Sequence, residues 1–244
     1  MTLRVDLIFK PPYPQPVLVV DVFYGSAVGA LLSAGAKEVW IARSVRAARI
    51  LAEDGGLLLG EQEGIPPEGF HGGLSLQALL GLQVEGKTCV LLTPALSESL
   101  EQVPLGSVLA YFRNAGAAVV YAAQMRIDTV VAATQARLEP SLTNTVAAGF
   151  IAKRLCQTLG EEVELQEGGR LAVALLKSFP DPQESLVQSD LGQQFLHAGC
   201  SEELALASLV SVEGVVPKLS QVRLLRARQY GLSKDRLGFC FQAR

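Results

Sequence analysis

The run Val17-Leu18-Val19-Val20-Asp21-Val22-Phe23-Tyr24-Gly25-Ser26 passes from valine-rich apolar sequence into a polar turn, and Ala27 to Ala34 follows as a small-residue stretch stopped by Gly35. Val17 to Phe23 reads as a buried strand, because an uninterrupted apolar run of strand length suits a sheet covered on both faces. Ser26 reads as the N-cap of the helix that follows and Gly35 as its stop. A strand that feeds a helix through a polar turn is the repeating unit of an α/β sheet.

Outward from that unit the alternation continues. Val39 to Ala42 reads as a strand, Ser44 to Asp54 as a helix carrying Arg43, Arg46 and Arg49 on one solvated face, and Leu57 to Leu59 as a short strand. Gly60 to Gly73 holds too much Gly and Pro for a regular element and reads as a long ordered loop, a frequent carrier of function. Cys89 to Thr93 is a further strand, with Thr93-Pro94 opening a helix. Ala117 to Ala123 reads as a strand, Arg126 to Leu138 as helical, and Ser141 to Leu159 as a helix whose Ala147-Ala148-Gly149 patch admits another backbone closely. Arg170 to Lys177 fits strand or helix. Two or three short helices follow Asp181, and Gln221 to Arg228 reads as an edge strand. The expected architecture is a three-layer α/β/α fold with a mixed sheet, one domain over residues 1–244 with room for two lobes.

Composition bounds the function. Of 244 residues 49% are hydrophobic and 18% charged, which excludes intrinsic disorder. The net charge of −3 gathers no basic segment, so nucleic acid is not an expected partner. No apolar run reaches the ~20 residues of a membrane span and no secretory leader is legible, so no membrane is expected either. Cys89, Cys156, Cys200 and Cys240 lack metal-ligand spacing and suit free thiols in a cytoplasmic protein. His71 and His197, the two histidines, form no HxxxH pair, and no GxGxxG, Walker A, GxSxG or HExxH motif occurs.

What remains is polar residues at strand ends: Asp21, Glu61 and Thr93. Ligands of open α/β sheets bind outside the carboxyl ends of the strands, so the three could share a crevice, and each could equally be a cap or loop residue.

Around these positions the chain resembles the 2-phosphosulfolactate phosphatases, magnesium-dependent enzymes of coenzyme M biosynthesis. The resemblance rests on Val19-Val20-Asp21 with Ala34-Gly35-Ala36-Lys37, on Gly60-Glu61-Gln62-Glu63-Gly64 with Glu68-Gly69-Phe70, and on Val84-Glu85-Gly86-Lys87-Thr88 with Thr93. Gly106-Ser107-Val108-Leu109, Ala148-Gly149 and Val215-Val216-Pro217 follow in the family's order. It departs where Phe23-Tyr24-Gly25-Ser26 replaces a run containing arginine, and where His71, Ala95-Leu96-Ser97, Ala110 and Thr143-Asn144 replace polar or acidic residues. The resemblance implies Asp21 as metal ligand or nucleophile, Glu61 as metal ligand or general base, and Ser26 and Thr93 as phosphate holders. It also implies Mg²⁺ at Asp21 and Glu61, a small anionic phosphorylated substrate and a phosphoric monoester hydrolase. The alternative is a silent homologue that binds small anions or serves as an interaction protein; a homo-oligomer is compatible with either.

Overall fold

The structure, a computed structural model, describes residues 2–134, 139–160, 162–225 and 237–244. The chain starts in strand β1 (Thr2–Asp6), and β2 (Leu18–Val20) feeds helix α1 (Val22–Ser33). β3 (Glu38–Ala42), α2 (Val45–Leu51), β4 (Leu57–Gly60), α3 (Leu76–Leu80), β5 (Thr88–Leu92) and α4 (Pro94–Leu100) continue the alternation. Next come β6 (Val108–Ala110), a 3₁₀ turn, α5 (Ala115–Met125), β7 (Thr129–Ala132), α6 (Leu142–Leu159), the two-residue β8 (Glu164–Leu165) and α7 (Glu167–Leu176). Three short helices, α8 (Pro182–Val187), α9 (Asp190–His197) and α10 (Ser201–Ser208), precede β9 (Lys218–Leu224) and β10 (Leu237–Gln242).

The strands form one mixed sheet in the order β4-β5-β3-β10-β9-β6-β2-β7-β1-β8. β4, β5 and β3 make one parallel block, and β6, β2, β7, β1 and β8 make a second. The antiparallel pair β9–β10 joins them: Phe239 of β10 lies opposite Ile41 of β3, while β9 meets β6 at Lys218 and Val108. Helices cover both faces. One hydrophobic cluster runs from Leu3 to Phe241 through both blocks, and a second packs α2 over Trp40, Val90 and Cys240 on the opposite side. The expected α/β fold with a mixed sheet is what the chain adopts.

The first unit differs from its reading in one respect that matters for the site. The strand ends at Val20, not Phe23, because the Asp21 side chain accepts the amides of Tyr24 and Gly25 and so caps a helix that begins at Val22. Ser26 is therefore not the N-cap. It lies in the second turn, where its hydroxyl donates to the Val22 carbonyl. Gly25 and Gly29, costly inside a helix, stand there because the Tyr111 side chain needs the space: a Cβ at Gly29 would lie 1.6 Å from the Tyr111 hydroxyl oxygen.

Three other readings change. Ala117 to Ala123 is helical, inside α5, because its buried residues Ala115, Ala118, Val119 and Ala122 recur at helical spacing and Val120 points out, 52% exposed. Arg126 to Leu138 is not a helix where described: Thr129–Ala132 is the strand β7, paired with β1 and β2, and residues 135–138 lie outside the described residues. Gln221 belongs to β9, which is internal in the strand order; its stretch beyond Leu219 pairs with β10 alone and stays exposed, which gives it the alternation of an edge. Residues 226–228 lie outside the described residues.

Other readings hold. Gly149 of α6 admits the neighbouring α7, since a Cβ there would sit 2.3 Å from the Ala172 carbonyl oxygen, and the ambiguous stretch from Arg170 is helical. No helix among the described residues is long and apolar enough to cross a membrane.

Candidate active site

Asp21 leaves β2, Glu61 leaves β4 and Thr93 leaves β5, each at the carboxyl end of a parallel strand. Asp21 is buried, and its Oδ1 accepts the Tyr24 amide at 2.9 Å and the Gly25 amide at 3.5 Å. Burial pushes its carboxyl up from 3.8 to about 6, and the amide bonds only partly offset that. No cationic side chain among the described residues contributes to holding it ionised.

Glu61 is half-buried, and its Oε1 accepts the Leu74 amide at 2.9 Å. That bond closes the long loop onto the start of α3. It also accounts for Gly73, where a Cβ would come within 2.1 Å of the same oxygen. The loop is pinned at two more points: Arg49 donates to the Glu68 carbonyl at 2.8 Å, and His71 Nδ1 accepts the Leu58 amide at 3.0 Å. His71 therefore closes the free edge of β4. Glu203, buried on α10, accepts from the Ser75 hydroxyl and from the Leu76 amide, fixing α3 in turn.

α3 packs against α1, and the Tyr24 phenol is raised to about 12, first by burial and then by the charges of Asp21 and Glu61. Thr93 follows Leu92, the register partner of Gly60, and so lies beside Glu61 along the strand ends. Its hydroxyl, and that of Ser97 one turn further along α4, are buried without a hydrogen-bond partner among the described residues. Of the four residues singled out from sequence, Glu61 and Thr93 follow the neighbouring strands β4 and β5, whereas Asp21 follows β2 in the other parallel block, with β3, β10, β9 and β6 between. Ser26 is close in sequence, but its hydroxyl proton is committed to Val22.

Two features were not legible locally. Asn144, in the first turn of α6, accepts the Val22 amide at 2.9 Å and donates to the Ala133 carbonyl at 3.0 Å, docking that helix start against the N-terminus of α1. A partner 122 residues away leaves no trace in local pattern. Behind α1, Tyr111 donates to Glu213 at 3.0 Å and Arg113 donates to the same carboxylate at 2.7 Å, all three buried. This cluster sets where α1 lies, because the Tyr111 ring packs on Gly25, whose amide binds Asp21.

Among the described residues, no three His, Cys, Asp or Glu side chains gather as a metal-binding cluster. Magnesium does not require one. It is commonly held by one or two carboxylates, with water and substrate phosphate filling the remaining positions. Asp21 and Glu61 are hard oxygen donors, and a buried carboxylate without a cation is a group that a divalent ion would stabilise, so the residues present fit that ion. A solvent-open depression elsewhere is lined by Asp181, Gln183, Glu184, Val187 and Gln188 and contains none of these strand-end residues.

The family model described as 2-phosphosulpholactate phosphatase matches residues 3–222. A Deinococcus radiodurans protein named "Probable 2-phosphosulfolactate phosphatase" is 32% identical over 228 residues, covering 90% of this chain and 93% of that protein. Proteins of the same name from Thermus thermophilus and Thermotoga maritima are 31% identical over 228 residues and 27% identical over 222. They cover 90% and 88% of this chain, and 94% and 95% of their own lengths. Matched along nearly its whole length by one family model, the chain belongs to the 2-phosphosulfolactate phosphatase family.

Proposed function

We propose that the chain is a phosphoric monoester hydrolase acting on a small anionic phosphomonoester of the 2-phosphosulfolactate type, with Mg²⁺ held by Asp21 and Glu61. The observation that carries this is the buried Asp21 carboxyl at the end of β2, pushed up by burial with no cation beside it among the described residues, in a chain matched by the family model over residues 3–222. An arrangement that costs stability and leaves charge unbalanced is characteristic of a functional site rather than a scaffold.

Magnesium bound there would neutralise the negative oxygens of the transferring phosphoryl group. The chain's own residues do the rest. Asp21, fixed by two amides, holds a carboxylate in one orientation, and Glu61 is held by Leu74 through one oxygen while its other oxygen has no hydrogen bond among the described residues. Where that oxygen does not hold the metal, Glu61 can instead take the proton of an attacking water as the new P–O bond forms and the ester P–O bond breaks, the proton passing finally to the leaving alkoxide. The Thr93 hydroxyl is the neutral donor at the adjoining strand end. The enzyme acts in the cytoplasm on a free metabolite in this reading, consistent with a place in coenzyme M synthesis.

One observation favours the alternative of a silent homologue: the Asp21 carboxylate is already engaged as the cap of α1, a structural role that needs no chemistry. Phosphate release from 2-phosphosulfolactate and from p-nitrophenyl phosphate, with and without Mg²⁺, separates the two. Magnesium-dependent release supports the hydrolase. A folded protein that binds phosphate but releases none from either ester supports the silent homologue.

A further inference from the structure

We infer that Glu203 of α10 is a positioning residue for Glu61: by clamping the start of α3 it fixes the Leu74 amide, and through that amide the place of the Glu61 carboxylate. The inference rests on the proposed function for what Glu61 does; how Glu61 is held stands on the contacts alone.

Those contacts run through four consecutive residues. The Leu74 amide donates to Glu61 Oε1 at 2.9 Å, and the Ser75 hydroxyl donates to Glu203 Oε1. The Leu76 amide donates to Glu203 Oε2 at 2.6 Å and the Gln77 amide to its Oε1 at 3.4 Å. Glu61 lies directly against the main chain here, since a Cβ at Gly73 would come within 2.1 Å of Oε1. A shift of residues 73–74 therefore moves the carboxylate with it, and residues 75–77 cannot shift without breaking their bonds to Glu203.

The rest of α3 does not supply that constraint. The helix has five residues, too few to stand alone, and its own cap, from Ser75 to the Ala78 amide, closes only a local turn. Leu76 and Leu79 bury it in the core, but apolar packing is non-directional, whereas hydrogen bonds to a carboxylate fix where the first amides point. Glu203 shares the buried face of α10 with Leu204 and Ala207, a costly place for an acid unless its oxygens are satisfied, and both are spent on the start of α3.

α10 is in turn tied to the frame behind α1. Arg113 donates to the Leu206 carbonyl at 2.9 Å and to Glu213, which also takes the Tyr111 hydroxyl. The Tyr111 ring packs on Gly25, in the turn that Asp21 caps. One buried frame thus reaches both carboxylates, Asp21 through Tyr111 and Glu61 through Glu203, although their strands belong to different blocks of the sheet.

The test compares Glu203→Ala, Glu203→Gln and a remote control, Gly169→Ala, whose methyl crowds Leu165 and Val5 at the β8 end of the sheet, away from β4. Two quantities are read: exchange of the Leu74 amide by NMR in the metal-free protein, and the Mg²⁺ concentration giving half-maximal phosphate release from 2-phosphosulfolactate. In Glu203→Ala the Leu74 amide exchanges about tenfold faster and the half-maximal Mg²⁺ concentration rises about tenfold. Glu203→Gln keeps an oxygen for the Leu76 amide and a donor for the Ser75 oxygen, and recovers most of both. Gly169→Ala lowers the unfolding midpoint and moves neither. Unchanged Leu74 exchange in a folded Glu203→Ala, or a Mg²⁺ response no different from that of Gly169→Ala, overturns the inference. A wild type that releases no phosphate at any Mg²⁺ concentration overturns the hydrolase reading instead, and Leu74 exchange then decides this one.

Discussion

Replacing Asp21 with asparagine separates the energetic cost of the site from its function. The carboxyl rises from 3.8 to about 6 on folding because it is buried, a shift that corresponds to about 3 kcal/mol of destabilisation at neutral pH. The sign follows from the direction. A raised carboxyl binds more protons folded than unfolded, so the Asp21 contribution is most favourable below pH 3.8, falls as pH rises towards 6, and is flat above. The substitution removes the charge and keeps the cap, since the asparagine side-chain oxygen can still accept the Tyr24 amide.

Without divalent ions, Asp21→Asn should therefore be more stable than the wild type by about 1–3 kcal/mol at pH 7.5, with the gain vanishing near pH 4. Urea unfolding at several pH values in the presence of a chelator measures this directly. Adding Mg²⁺ should stabilise the wild type by mass action and narrow the gap. A variant less stable than the wild type at pH 7.5, or a difference independent of pH, would refute the claim that Asp21 is a buried, uncompensated charge.

Further outcomes follow from named contacts. Gly29→Ala should cost about 1–3 kcal/mol in urea unfolding, because the new methyl collides with the Tyr111 hydroxyl. Arg113→Leu should cost about 3–5 kcal/mol, because it leaves the buried Glu213 carboxylate without its cation, whereas a surface change such as Arg43→Leu should stay under about 1 kcal/mol by the same assay. His71→Ala should leave kcat within about twofold and lower stability by about 0.5–1.5 kcal/mol, since the ring accepts an edge amide of β4; a collapse of kcat with an unchanged Tm would make it a catalytic acid instead.

How much of this is legible in the sequence depends on the distance over which the information is carried. Strands such as Val39 to Ala42 and the helix from Ser141 are readable because the burial that shapes them recurs with a local period. The start of α1 is misplaced because Gly25-Ser26 suggests a turn and a cap, and the reason for Gly25, the Tyr111 ring, lies over 80 residues downstream. α5 is mistaken for a strand because Val119-Val120-Tyr121 favours one by residue type, while the buried spacing of Ala115, Ala118, Val119 and Ala122 is helical. Asp21, Glu61 and Thr93 stand out because strand ends concentrate function in α/β sheets. What joins them, the Glu61 bond to Leu74 and the Asn144 bonds across α1, depends on long-range packing that no local motif announces.

The most direct test of the central claim measures phosphate release from 2-phosphosulfolactate by the wild type, Asp21→Asn and Glu61→Gln across a magnesium titration, with folding checked by thermal unfolding. Glu61→Gln retains an oxygen for the Leu74 amide and so keeps the loop closed. The account predicts magnesium-dependent release by the wild type, abolished by chelator, and losses of at least about 10²-fold in both folded variants. Undiminished release by either variant, or full release with the chelator present, would mean that the carboxylates at these two strand ends do not perform the reaction.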